Sequence, residues 1–248
     1  MKQKEIVNSI KINTVNSGYK SLKWNQLILS PIDLSYYGYL EPLRSYIESH
    51  PKQIRNTFKA SISYAVQQGH LSVVEYLKFN DMTRQFELPT HLIAIAAKSG
   101  HINIIRFLLE RNQASGGGGR GRVVAAEKSQ DMALALVSAI EQGNLEIIKY
   151  LNQLVKPAVK QDKRLTRAMD VAASKGYLEV CRFLNENRTE GCTYKALESA
   201  IVQGHIDVVK YLYENCTHST TAGLDSALYI AESNKQSEII NYLEQQQQ

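Results

Sequence analysis

Apolar and polar positions recur along this chain in one short phrase. A small residue comes first, polar residues follow, then a glycine, then aliphatics at helical spacing. The phrase reads AVQQGHLSVVEYL from Ala65, AAKSGHINIIRFL from Ala96, and AIEQGNLEIIKYL from Ala139. It returns as AASKGYLEVCRFL from Ala172, AIVQGHIDVVKYL from Ala200, and AESNKQSEIINYL from Ala231. After the turn, Leu71, Val74 and Leu77 fall three residues apart, as do Ile102, Ile105 and Leu108, and Leu145, Ile148 and Leu151. Val73 and Tyr76, Ile104 and Phe107, and Ile147 and Tyr150 widen the stripe. A face this wide predicts a helix buried against neighbours on both sides. The alanine before each turn predicts a close approach of helices. The glycine predicts a helix end in the left-handed conformation. Each unit is a helix-turn-helix too small to bury its own apolar face, so the copies must stack.

The turn positions are Gly69, Gly100, Gly143, Gly176, Gly204 and Lys235, with Gly38 as a weaker earlier copy. Their spacing is near 31 residues except between Gly100 and Gly143, where it is 43. That gap holds Ser115-Gly116-Gly117-Gly118-Gly119-Arg120-Gly121-Arg122. A glycine run costs much entropy to order and buries little, so residues 112–128 are expected to form a flexible insert looped out of the stack.

The phrase resembles the second half of the ankyrin repeat: an alanine pair, two variable residues, Gly-His and an aliphatic helix. Gly69-His70, Gly100-His101 and Gly204-His205 keep the Gly-His pair, while Asn144, Tyr177 and Gln236 replace the histidine elsewhere. The family's Thr-Pro-Leu-His opening is nearly absent. Ala60-Ser61-Ile62-Ser63, His91-Leu92-Ile93-Ala94 and Lys195-Ala196-Leu197-Glu198 stand in its place. The resemblance implies an all-α, ankyrin-like solenoid of about six to seven stacked helix-turn-helix repeats, with short loops in place of most β-hairpins. It is nearest to the degenerate ankyrin-like proteins numerous in amoebae and their giant viruses. The expected organisation is an N-terminal extension and cap over 1–30, repeats over 31–111, the glycine-rich insert over 112–128, repeats over 129–244, and a glutamine tail over 245–248. The cap includes Trp24 and draws on Tyr36 to Ile47.

Composition narrows the function classes. The chain has 248 residues, 44% of them hydrophobic, and a net charge of +5. No signal-peptide core and no long apolar span is visible, which predicts a cytoplasmic or nuclear protein. Three cysteines, Cys181, Cys192 and Cys216, sit at no metal-ligand spacing and fit a reducing compartment. Cys181 occupies an aliphatic position and reads as core. Residues 1–168 carry 23 basic and 13 acidic side chains, and residues 169–248 carry 6 basic and 11 acidic ones.

No chemistry emerges from the motifs. There is no His-Glu-x-x-His, no paired-cysteine knuckle and no nucleophile elbow. Gly116 to Gly121 is followed by Arg122-Val123, where a phosphate loop needs Lys-Ser/Thr. Three of the six histidines repeat at the Gly-His position and read as structural. The aromatic ladder Tyr76, Phe107, Tyr150, Phe183, Tyr211 and Tyr242 reads as core and not as a base-stacking track. The pairs Glu146–Lys149, Glu179–Arg182 and Asp207–Lys210 mark a solvated outer face. The expectation is a non-enzymatic chain with no cofactor and no metal, acting as a monomeric scaffold or adaptor for another protein.

By the resemblance, the partner lies on the concave face lined by first helices, against the residues just before each turn. These are Gln67, Gln68, Lys98, Ser99, Glu141, Gln142, Ser174, Lys175, Val202 and Gln203. Two alternatives stand beside this one. The basic first two-thirds offers a surface for nucleic acid or another anionic surface, and the chain fits the targeting part of a larger enzyme complex.

Overall fold

The computed structural model describes residues 30–80, 83, 88–89, 91–110, 129–154, 165–188, 191, 193–216 and 224–246. The glycine-rich insert over 112–128, Trp24, Cys192 and Gln247-Gln248 therefore lie outside the described residues. Among the described residues there are fourteen α-helices and no strand. They come in seven pairs: Pro31–Tyr37 (α1) with Leu40–Ser49 (α2), Ile54–Gln68 (α3) with Leu71–Phe79 (α4), and Leu92–Ser99 (α5) with Ile102–Glu110 (α6). Ser129–Glu141 (α7) pairs with Leu145–Leu154 (α8), and Ala168–Ser174 (α9) with Leu178–Asn187 (α10). Tyr194–Val202 (α11) pairs with Ile206–Asn215 (α12), and Leu224–Ser233 (α13) with Ser237–Gln245 (α14).

One local device recurs at the turns. The residue at the turn sits at positive φ, from 58° at Lys235 to 82° at Gly69 and Gly100. In the last five pairs the next residue donates its N–H back to the carbonyl of the repeated alanine, and in the first pair Tyr39 N donates to Leu34 O in the same way. His101 N meets Ala96 O at 2.9 Å, Tyr177 N meets Ala172 O at 3.0 Å, and Gln236 N meets Ala231 O at 2.9 Å. This is the Schellman closure, which satisfies a carbonyl the helix end would leave unpaired. It fixes the interval between the alanine and the residue after the turn, which is why the phrase has constant length.

The described chain divides into two compact units, one holding residues up to Ala65 with Ser72–Phe86, the other Val66–Leu71 with Glu87 onward. In the first, α1 packs on α2. Ser30 caps α1 reciprocally with Asp33, and Gly38 turns the chain at φ 76°, so the worn copy around Gly38 is a helix pair of the same kind.

In the second unit the first helices form a continuous row. α5 packs on α7, α7 on α9, α9 on α11 and α11 on α13. Second helices α10, α12 and α14 contact one another in turn. The seam of the row is alanine: Ala96, Ala139, Ala172, Ala200 and Ala231 are all fully buried. Around them lie Ile93, Leu136, Met169 and Leu197 from the first helices and Ile105, Ile148, Cys181, Val209 and Leu243 from the second. Cys181 is a buried core residue, as its aliphatic position predicted, and Cys216 is buried too. Among the described residues no helix is long and apolar enough to cross a membrane.

Candidate functional site

Adjacent repeats lock together at the turns, and this determines which groups remain for a partner. The side chain that follows each turn residue lies on the turn glycine of the repeat before it. A Cβ built on Gly69 would stand 2.7 Å from His101 Cε1, and one on Gly143 would stand 2.8 Å from the Tyr177 ring. Gly176 carries the His205 ring and Gly204 the Gln236 amide in the same way. Two of these side chains also reach the carbonyl two residues before the glycine: His101 Nε2 to Gln67 O at 3.0 Å, and Gln236 Nε2 to Val202 O at 3.4 Å. Asn144 differs. Its amide stands 3.6 Å from the Gly100 position, and its Oδ1 accepts from Ile147 N at 3.1 Å as a helix cap. His101 and His205 are thus packing groups. The glycines serve twice, as left-handed turn residues and as flat seats.

The backbone before the turn is occupied by the stack at Gln67 and Val202, but the side chains at this register face solvent. Gln67, Gln68, Lys98, Glu141, Gln142, Lys175, Val202 and Gln203 are exposed, and Ser99 and Ser174 are half-buried. All ten lie in the second unit. The structure brings Ser174, Val202 and Gln203 together on the wall of one open depression of about 290 Å³ between α9 and α11. Lys195, Glu198 and Ser199 complete it. These three were not among the sequence candidates. Their signal was available, because Glu198 and Ser199 stand one helical turn before Val202 and Gln203 on α11 and so share their face.

Asp170 of α9 is buried near this depression. Thr193 Oγ1 lies 3.0 Å from both of its carboxylate oxygens, and the same hydroxyl accepts from Lys195 N at 3.1 Å to cap α11. Burial pushes the Asp170 carboxyl above its usual range, while the Thr193 hydrogen bonds and the charges of Arg167 and Lys195 pull the other way. The cluster ties one first helix to the next. Among the described residues no group of three His, Cys, Asp or Glu side chains gathers as metal ligands would.

The family model for ankyrin repeats, in three copies, matches residues 62–160 and 136–222. The chain belongs to the ankyrin repeat family. No curated protein matches it. Ankyrin repeats are in general protein–protein interaction modules and typically non-catalytic.

The outer face of these ankyrin repeats is more ordered than its charge pattern predicted. The aromatic ladder is half-buried, not fully core, and cations of the preceding repeat lie over four of its rings. Arg44 stands 5.3 Å from the Tyr76 centroid, Arg106 5.5 Å from Tyr150, Arg182 5.6 Å from Tyr211, and Lys210 5.6 Å from Tyr242. Each cation sits one residue earlier in its own repeat than the ring does in the next. Arg182 also pairs with Glu179 at 3.7 Å, as the spacing predicted. Glu146 instead reaches Arg106 across the repeat boundary at 3.7 Å. The outer face is therefore laced from repeat to repeat, which leaves the ends of the first helices as the less committed surface.

Proposed function

We propose that this ankyrin chain is a non-catalytic adaptor whose protein partner lies across the exposed ends of the first helices. One observation carries the reading. Gln67, Gln68, Lys98, Ser99, Glu141, Gln142, Ser174, Lys175, Val202 and Gln203 recur at one register, on a buried alanine seam that holds them at repeat intervals. Their carbonyls serve the stack, as at Gln67 and Val202, while their side chains vary and face solvent. A surface with a constant frame and varied side chains reads a partner by a row of contacts and needs no chemical step.

The test compares wild type with a variant in which Gln68, Lys98, Gln142 and Lys175 are all changed to alanine, in lysate capture at about 150 mM salt. All four side chains are exposed, so the unfolding midpoint should be unchanged. The expected result is a protein recovered by wild type and lost by the variant. Recovery of the same proteins by both would overturn the assignment of this face. Retention dominated by nuclease-sensitive material that falls steeply with salt would transfer the reading to nucleic acid.

A further inference from the structure

In the last three repeats the second helices are acidic. Residues 169–248 hold 11 acidic and 6 basic side chains. Glu179, Glu186, Asp207, Glu214, Glu238 and Glu244 all lie on the second helices α10, α12 and α14. Three of the cations are engaged on that side or at its edge: Arg182 and Lys210 cover tyrosine rings, and Arg188 donates to Asn152 Oδ1 at 2.8 Å. Lys175 and Lys195 belong to the first-helix side. Lys195 lines the depression between α9 and α11, and Lys175 directly follows its Ser174 wall. Arg167, just before α9, is also exposed. On the first-helix side Asp170 is buried and bonded to Thr193, Asp225 and Glu232 are exposed on α13, and Glu198 is the carboxylate that lines the depression. At the depression itself Lys195 and the adjoining Lys175 thus stand against one exposed carboxylate, Glu198.

We infer that the α9–α11 depression receives an acidic, extended peptide segment of the partner, with a carboxylate against Lys195 and Lys175 and an aliphatic side chain against Val202. This rests on the first-helix face being the binding face. Val202 is an aliphatic side chain of that wall and is 38% exposed. Ser174, Ser199 and Gln203 offer hydroxyl and amide groups suited to main-chain N–H and C=O groups. An open depression of about 290 Å³ suits one or two side chains of a peptide better than an enclosed small molecule. The acidic second helices repel the same segment from the opposite side, so charge supplies orientation as well as attraction. Glu198 sets a limit, since the partner's carboxylate must stand away from it.

The test pans a displayed random peptide library against the full chain and measures the selected peptides by fluorescence anisotropy. Enrichment of sequences combining Asp or Glu with an aliphatic residue is expected. Lys195→Glu and Lys175→Glu should each weaken their binding about tenfold or more, Lys195→Gln should weaken it less, and Glu198→Gln should tighten it about two- to threefold. Unchanged unfolding midpoints would show that the charge and not the fold was altered. Enrichment of basic or uncharged peptides, or acidic peptides indifferent to Lys195→Glu, would overturn the inference. In that case, loss of binding on changing Gln68, Lys98 and Gln142 to alanine would leave the first-helix face standing as the site. Enrichment of nothing at all would count against both.

Discussion

Gly69 and Gly100 provide a controlled comparison within one protein. Both sit at φ 82°, so alanine at either must adopt the left-handed conformation, at about 1–2 kcal/mol. Their surroundings differ. A Cβ on Gly69 meets three atoms of the His101 ring between 2.7 and 3.0 Å, whereas one on Gly100 finds only Asn144 Nδ2 at 3.6 Å, an ordinary contact. Gly69→Ala must therefore also displace the imidazole from its seat and break its 3.0 Å bond to Gln67 O. A hydrogen bond of this kind contributes about 0.5–1.5 kcal/mol, and the lost ring contact adds a comparable amount. Gly69→Ala is thus expected to cost about 1–2 kcal/mol more than Gly100→Ala. Urea unfolding followed by circular dichroism measures both, and hydrogen exchange at the α3–α5 turns localises the loss. In a His101→Ala background, Gly69→Ala should cost only the left-handed term, because the bond and the ring contact are already gone. Equal costs for the two single variants would refute the claim that the glycine is a seat as well as a turn.

Three further outcomes follow from named contacts. Ala139→Leu places a branched side chain in a fully buried seam and should lower stability by about 1–3 kcal/mol, read as a shifted unfolding midpoint. Lys235 holds φ 58° without being glycine, so Lys235→Gly should raise stability by about 1 kcal/mol, with a fall in melting temperature as the contrary result. Burial raises the Asp170 carboxyl above the 3.8 of an unfolded chain, so the folded state holds its proton more firmly. This group's contribution to stability is greatest at low pH and is lost as pH rises through the raised value. Asp170→Asn, which keeps an acceptor for Thr193, should flatten that part of the stability-versus-pH curve, and an unchanged slope would show that Asp170 does not titrate there.

The repeat and its helices were legible because each rests on a short-range rule. Ala139 and its equivalents, the turn glycines and the aliphatics at Ile147, Ile148 and Leu151 announce a buried seam, a left-handed turn and a wide apolar face by type and spacing alone. The connections between repeats, where the Thr-Pro-Leu-His opening is lost, lie mostly outside the described residues, and no strand occurs among those described. What stayed hidden depends on residues about thirty positions apart meeting at one atom. Nothing in Gly69 says that His101 will lie on it. Nothing in Lys195, read as an ordinary helix charge, says that it walls a depression with Ser174. The ten candidate residues were exposed as expected, yet only Ser174, Val202 and Gln203 gather in that concave feature.

The outer face shows why charge patterns mislead in a stacked protein. Within one helix, the spacing of Glu146 and Lys149 predicts a pair worth a few tenths of a kcal/mol, and such residues read as solubilising. Yet a repeat places each surface residue beside its counterpart in the next repeat as well as beside its own helical neighbours. Arg106 meets Glu146 and the Tyr150 ring by that second route, and Arg182 meets Tyr211 likewise. A phenol is neutral at neutral pH and burial pushes Tyr76, Tyr211 and Tyr242 further that way, so the rings keep the π-face the cation needs. Each such contact contributes about 0.5–1 kcal/mol at a half-exposed site. A stack gains stability from nearest-neighbour terms, so the contact strengthens the coupling between repeats and not a single helix. Arg106→Ala should thus loosen the α6–α8 boundary while leaving the helicity of α6 intact. Arg106→Lys should recover part of the loss, because a point charge can still sit over the ring but lacks the second nitrogen that lets Arg106 reach the Glu146 carboxylate as well.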